Sequence, residues 1–127
     1  MTPTQRTLSL VRKWGWLPAM VERWIPGAHI RRDAYGWIDA LALDVAGGRL
    51  WGVQSTGEDF AGHLAKLRGE AAPMVKAWSL CGGCALLVGW RPLKRGGRLR
   101  RVARYAVYAG GSWVEVQERP GGKPIFP

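Results

Sequence analysis

Asp39, Gln54, Ser55 and Thr56 are the residues whose types and spacing could do chemistry together. Alternate residues of a strand share a face, so Gln54 and Thr56 point the same way, and Ser55 between them can still offer its backbone carbonyl. Asp39 lies one hairpin upstream, within "GWIDALALDVAGGRLWGVQST" (36–56). A carboxylate, an amide oxygen and a backbone carbonyl form a hard oxygen donor set suited to Mg²⁺ or Mn²⁺. Such an ion stabilises charge on a phosphate and lowers the pKa of an attacking water. The same stretch is also open to reading as an ordinary hairpin, with Asp39 as a turn residue.

These residues meet only if the surrounding elements place them. Pro3 after Thr2, then Leu8, Val11 and Trp14 at helical spacing, predict a capped helix over about Pro3–Trp14. "WLPAMVERW" (16–24) reads as an edge-type strand because of Pro18. "IPGAHIRRDAYG" (25–36) reads as a loop. Ile38, Leu41 and Leu43, the turn "DVAGG" and "LWGVQ" predict a hairpin. "TGED" caps a helix from about Asp59 to Arg68, and Pro73 opens another that "CGG" stops near Leu80. "CALLVGW" (84–90) is an apolar run suited to a buried central strand. Alternation around "AGGS" predicts a C-terminal hairpin over 99–118, with an irregular tail at 119–127 packed on the surface or binding a partner.

The 127 residues suit one domain, α/β or α+β, with a central mixed sheet flanked by helices plus that C-terminal hairpin. Residues 1–90 form the expected core and 91–104 a basic segment. Nineteen Lys and Arg face nine Asp and Glu, for a net charge of +10. Seven of the cations lie between Arg91 and Arg104, where there is no acid, so the rest of the chain carries only +3 of the +10. A local excess of this kind favours a polyanion, with nucleic acid ahead of an acidic protein or a merely solubilising face. Arg31, Arg32, Arg91, Lys94, Arg95, Arg98, Arg100 and Arg101 are the candidate phosphate contacts, with "RPLKRGGRLRR" as a flexible loop that grips the backbone without reading sequence. No apolar run approaches a membrane span of about 20 residues, no secretory signal is evident, and the expected location is cytoplasmic.

With the helix, "GWID", "GVQST" and "ALLVGW" in this order, residues 5–90 resemble the PD-(D/E)XK nuclease superfamily. The likeness is to its compact Holliday-junction-resolvase-like and virus-type replication-repair members. The resemblance implies a restriction-endonuclease-like sheet, a Mg²⁺-dependent endonuclease, a structured or branched DNA substrate, and a homodimer. It makes Asp39 the family aspartate. Gln54 stands where an acid is usual, and Thr56 where a lysine is usual. Gln5 is the nearest candidate for the glutamate that resolvase-like members carry on the first helix. Glu22 and Asp33 could supply further carboxylate ligands. Lys66 could replace the missing lysine from the following helix, and His63, one turn earlier, could act as a base.

Each of these also has an ordinary structural role open to it. Glu22 could pair with Arg23 or Arg31, Asp33 could cap its loop, Lys66 could be solvated, and His63 could be structural. Cys81 and Cys84 form "CGGC" at a helix end; with only His29 and His63 to join them, no zinc site is expected. Of the eight tryptophans, Trp14, Trp78 and Trp90 fit core positions. Trp16, Trp24, Trp37 and Trp51 could stack on unpaired bases or pack in the core. Three functions therefore stand side by side: a metal-dependent nuclease, an inactive nucleic-acid-binding module, and a structural or assembly protein of a virus or mobile element that docks on a nucleoprotein or virion.

Overall fold

The computed structural model describes residues 1–28, 30–119 and 122–127; the Arg31 side chain is also outside the described set. The fold is α+β, a mixed six-stranded sheet with helices on both faces and a separate two-stranded ribbon. Helix α1 spans Pro3–Lys13. The Thr2 hydroxyl accepts from the Gln5 amide while the Gln5 side chain accepts from the Thr2 amide, a reciprocal cap. Gln5 is thus committed to the helix start, so it does not serve the metal-ligand position that the resemblance offered it.

Strands β1 (Leu17–Met20), β2 (Arg23–Ile25), β3 (Ile30–Arg32), β4 (Ala40–Asp44) and β5 (Arg49–Thr56) follow. The single strand expected over 16–24 is two, and the loop expected over 25–36 contains β3. The reason is local. The amides of Val21 and Glu22 both donate to the Asp39 carbonyl, at 2.9 and 3.0 Å, which is the bonding of a β-bulge. The bulge ends β1 beside β4 and releases β2 to pair with β3. Helices α2 (Phe60–Arg68) and α3 (Ala72–Leu80) then connect β5 to β6 (Cys84–Arg95), which lies parallel to it. The Asp59 carboxylate caps α2 through the Gly62 amide at 3.1 Å. Strands β7 (Arg98–Ala109) and β8 (Ser112–Val116) complete the order β1-β4-β5-β6-β7-β8. The segment expected as a flexible loop over 91–101 is instead the outer half of a long β6–β7 hairpin turning at Gly96 and Gly97.

The sheet buries a core on each face. Leu8 and Val11 of α1 pack on Trp16, Trp51, Val53, Leu86, Val88, Tyr105 and Val107. Trp16 and Trp51 stack with ring centroids 5.1 Å apart, and Phe126 of the tail closes on Trp51 at 4.9 Å. Under α2 and α3 lie Trp37, Ile38, Phe60, Leu64, Leu67, Val75, Leu87, Ala106 and Trp113. Trp16, Trp37 and Trp51 are therefore core residues with no face left for a base, while Trp24 is half exposed. Ile38 is buried in the second core and Leu41 packs partly against it, but Leu43 is exposed beside Leu17 and Leu50, its cross-strand neighbours. Helices α2 and α3 pack over β6 and β8 and leave that end of the sheet open.

Candidate metal centre

Asp39 sits at the point where the chain enters β4. Its amide donates to the Val53 carbonyl of β5, whereas its carbonyl faces the opposite edge and accepts from the bulge. The carboxylate bends in toward β5, where Oδ2 accepts from the Ser55 amide at 2.8 Å, a buried hydrogen bond. The bulge places Glu22 on the same side. In a bulge two successive residues oppose one partner, so Val21 packs in the second core while Glu22 is turned to its neighbour Asp39.

Asp33 arrives from β3 through a tight turn. The Trp37 amide donates to the Ala34 carbonyl at 3.2 Å, and the two central residues have positive φ, Tyr35 at 55° and Gly36 at 76°. Two positive values in succession are the signature of a type I′ hairpin turn, where glycine is at ease and tyrosine is strained. This short return brings Asp33 against Asp39. Carboxylate oxygens of Glu22, Asp33 and Asp39 all lie within 4.8 Å of one another. Burial above all, and then a hydrogen bond shared with the Asp33 carboxyl, push Asp39 up from the usual carboxylate range to about 8. The charges of Asp33 and Glu22 act in the same direction, and the Ser55 amide opposes them.

The register fixes the rest. Gly52 faces the second core, where a Cβ would meet Trp37 at 2.8 Å and Trp78 at 3.2 Å. Gln54 and Thr56, two and four residues on, share that face with Asp39. Gln54 is 1% exposed, and its Oε1 has no hydrogen-bond partner among the described residues. The Ser55 hydroxyl points to the α1 face, away from the acids, so only its backbone could contribute. Since the Ser55 amide and the Val53 carbonyl both leave β5 on the β4 edge, the Ser55 carbonyl leaves on that edge too.

His63 and Lys66 stand apart. Both are on α2 and partly buried, and neither has a hydrogen bond or ion pair with the three carboxylates among the described residues. Lys66 does line a cleft with Tyr35 and Gly36, the turn that follows Asp33. His29 lies outside the described residues, as does the Arg31 side chain; Arg32 is exposed on β3. Arg101 reaches Glu58 at 4.0 Å. The bulge at Val21–Glu22 and the Tyr35–Gly36 turn were not anticipated from sequence, although "YG" between Asp33 and Asp39 was a usable turn signal.

The donor set fits a hard divalent cation: three clustered carboxylates, one of them pushed up to about 8 chiefly by burial, and beside them a buried amide oxygen with no partner among the described residues. Comparisons with known protein families, with curated proteins and with solved structures found no match.

Proposed function

We propose that this chain acts on DNA and uses the Glu22–Asp33–Asp39 centre to hold Mg²⁺ or Mn²⁺ for phosphodiester cleavage. The observation that carries this reading is the convergence of three carboxylates from three separate segments within 4.8 Å, with Asp39 raised to about 8. Ionising the buried Asp39 at neutral pH is costly, and a bound cation would offset that cost. Asp39, Glu22 and Asp33 would hold the ion, with the Gln54 side-chain oxygen and the Ser55 carbonyl completing the set. When bound, such an ion would neutralise charge on a phosphate and favour ionisation of a water. Thr56, on the Gln54 face, would orient that water through its hydroxyl. The basic hairpin of β6 and β7 supplies the grip on the polyanion. The PD-(D/E)XK relationship, a branched or structured substrate and a dimer belong to the same proposal and rest on the sequence resemblance.

A second reading is favoured by one specific observation. Thr56, on the strand beside the acidic centre, occupies the position usual for a lysine in the family that the sequence resembles. On that reading the protein binds nucleic acid or docks in an assembly without cutting. The deciding experiment incubates the protein with branched, single-stranded and duplex DNA, in Mg²⁺, Mn²⁺ or chelator, beside Asp39→Ala. Metal-dependent cleavage lost in a folded Asp39→Ala protein is the expected result. Binding with no cleavage by either protein would overturn the nuclease reading and leave the module.

A further inference from the structure

The outer part of the β6–β7 hairpin has no neighbouring strand on either side among the described residues. β5 pairs with β6 only as far as Thr56↔Gly89, and β8 pairs with β7 only from Tyr105 onward. Beyond that, Arg91–Arg95 and Arg98–Val102 pair with each other alone. This is a free two-stranded ribbon extending about 17 Å at 3.3 Å per residue. Cross-strand partners share a face. Arg91 with Val102, Leu93 with Arg100, and Arg95 with Arg98 therefore lie on one side, and Lys94 with Leu99 and Pro92 with Arg101 on the other.

The first side carries four arginines with no carboxylate partner among the described residues. Arg95 stands directly opposite Arg98, a like-charge pair that destabilises a ribbon. A two-stranded hairpin with no third strand is marginal to begin with. No ion pair among the described residues offsets this concentration of charge, whereas a polyanion laid on it would relieve the repulsion. At the base, Arg104 is held differently: it bonds Glu115 at 2.8 Å and lies 4.3 Å over the Phe60 ring. It anchors the ribbon to the sheet.

The composition of the ribbon discriminates among polyanions. Residues 91–102 include no Trp, Tyr or Phe, so the ribbon offers no platform on which single-stranded bases could stack. Arginine outnumbers lysine, which suits planar, bidentate recognition of phosphates. A two-stranded β-ribbon fits the major groove of B-form DNA, about 12 Å wide, and not the deep, narrow major groove of A-form RNA. The four-arginine side continues the sheet face of Gln54 and Thr56, through the neighbouring positions Thr56, Gly89 and Arg104.

We infer that the β6–β7 ribbon is an arm that enters the groove of duplex DNA and holds it with Arg91, Arg95, Arg98 and Arg100, on the face shared with the acidic centre. This deepens the DNA reading proposed above, and its test does not depend on cleavage.

The test is equilibrium binding of the full chain, in chelator, to a labelled 20-base-pair DNA duplex, the matching single strand and the matching RNA duplex, over a range of salt. The triple variant Arg95→Ala/Arg98→Ala/Arg100→Ala removes three exposed cations from the ribbon. Arg6→Ala/Arg12→Ala/Lys13→Ala removes the same charge from α1, on the opposite face. The expected result is a preference for duplex DNA over both competitors and a loss of about 100-fold in the ribbon variant at moderate salt. Its log–log salt slope should fall by about 3, against little change in the α1 variant. Equal losses in the two variants, or single strand or RNA duplex bound as tightly as DNA duplex, would overturn the arm. A protein that grips duplex through the ribbon yet never cleaves with metal sinks only the nuclease reading. One that cleaves normally with the ribbon variant sinks only the arm.

Discussion

The Ser55 amide of β5 donates to the Asp39 carboxylate at 2.8 Å, across the end of the ladder where β4 has not yet begun. A side chain here takes the place of a backbone acceptor. The bond holds Asp39 at a fixed point between the bulge that carries Glu22 and the turn that carries Asp33. It is also the interaction that opposes protonation of Asp39, against burial and two neighbouring acids.

The raised Asp39 sets a pH dependence. Its carboxyl holds a proton in the folded protein up to about pH 8 and releases it near pH 4 when unfolded. Between those values the folded state binds the extra proton, so stability falls as pH rises. The fall approaches about 1.4 kcal/mol per pH unit, is absent below about pH 4, and is complete above about pH 8. Urea denaturation in chelator from pH 4 to 9 measures it, and Asp39→Asn should remove most of the slope. A flat profile in the unmodified protein would contradict the clustered, proton-sharing centre.

A divalent cation should reverse that trend. At pH 8, millimolar Mn²⁺ is expected to raise the melting temperature, with the gain shrinking toward pH 5 as protons compete for the carboxylates. Asp39→Ala should abolish the gain. Calorimetric titration at pH 8 measures the affinity directly, and no heat with either Mg²⁺ or Mn²⁺ would count against the site.

Gln54 separates ligand from spectator. Its buried oxygen has no partner among the described residues, so Gln54→Leu is expected to leave the metal-free fold within about 1 kcal/mol of the parent while weakening Mn²⁺ binding. Gln54→Glu adds a charge and should bind Mn²⁺ more tightly than the parent. Identical Mn²⁺ affinities in all three proteins would place Gln54 outside the centre.

Gly52 leaves no room for a side chain between Trp37 and Trp78. Gly52→Ala is expected to cost about 1–3 kcal/mol in chemical denaturation, because two packed tryptophans must shift. The residue after Trp37 and Ile38 is Asp39, so metal affinity should fall along with stability.

Trp51 stacks on Trp16 and meets Phe126 in the aromatic cluster under α1. Trp51→Ala should cost about 3–5 kcal/mol. Removing the tail from residue 122 should cost less, since Phe126 is only partly buried, and should change the near-ultraviolet circular dichroism of the tryptophans, because Phe126 touches Trp14, Trp16 and Trp51. An unaltered spectrum would mean that the tail does not rest there in solution.

Elements governed by short-range rules were legible in the chain. Thr2 and Pro3 start α1, Asp59 caps α2, and "CALLVGW" forms a buried central strand because each signal acts within a few residues. The Gln54–Thr56 pair was placed on one face by strand alternation alone. What escaped was set at a distance. The chain reads the same over "MVER" whether or not a bulge forms, and the bulge depends on the Asp39 carbonyl eighteen residues away from Val21. The run "RPLKRGGRLRR" looks like a loop because its charges mask the alternation, and it is a ribbon because the apolar halves of β6 and β7 are already paired below it.

By itself, then, the sequence determined the three helices, the apolar strands, the concentration of charge at 91–104 and the candidate aspartate, since these follow from local propensity and composition. Only the tertiary structure decided that Glu22 and Asp33 join Asp39, that His63 and Lys66 do not bond to them, and that Trp16, Trp37 and Trp51 are core. Those outcomes depend on which strands pair, in which register and under which helices. Pairing over such separations is selected by burial of the whole sheet and not by any residue's own preference.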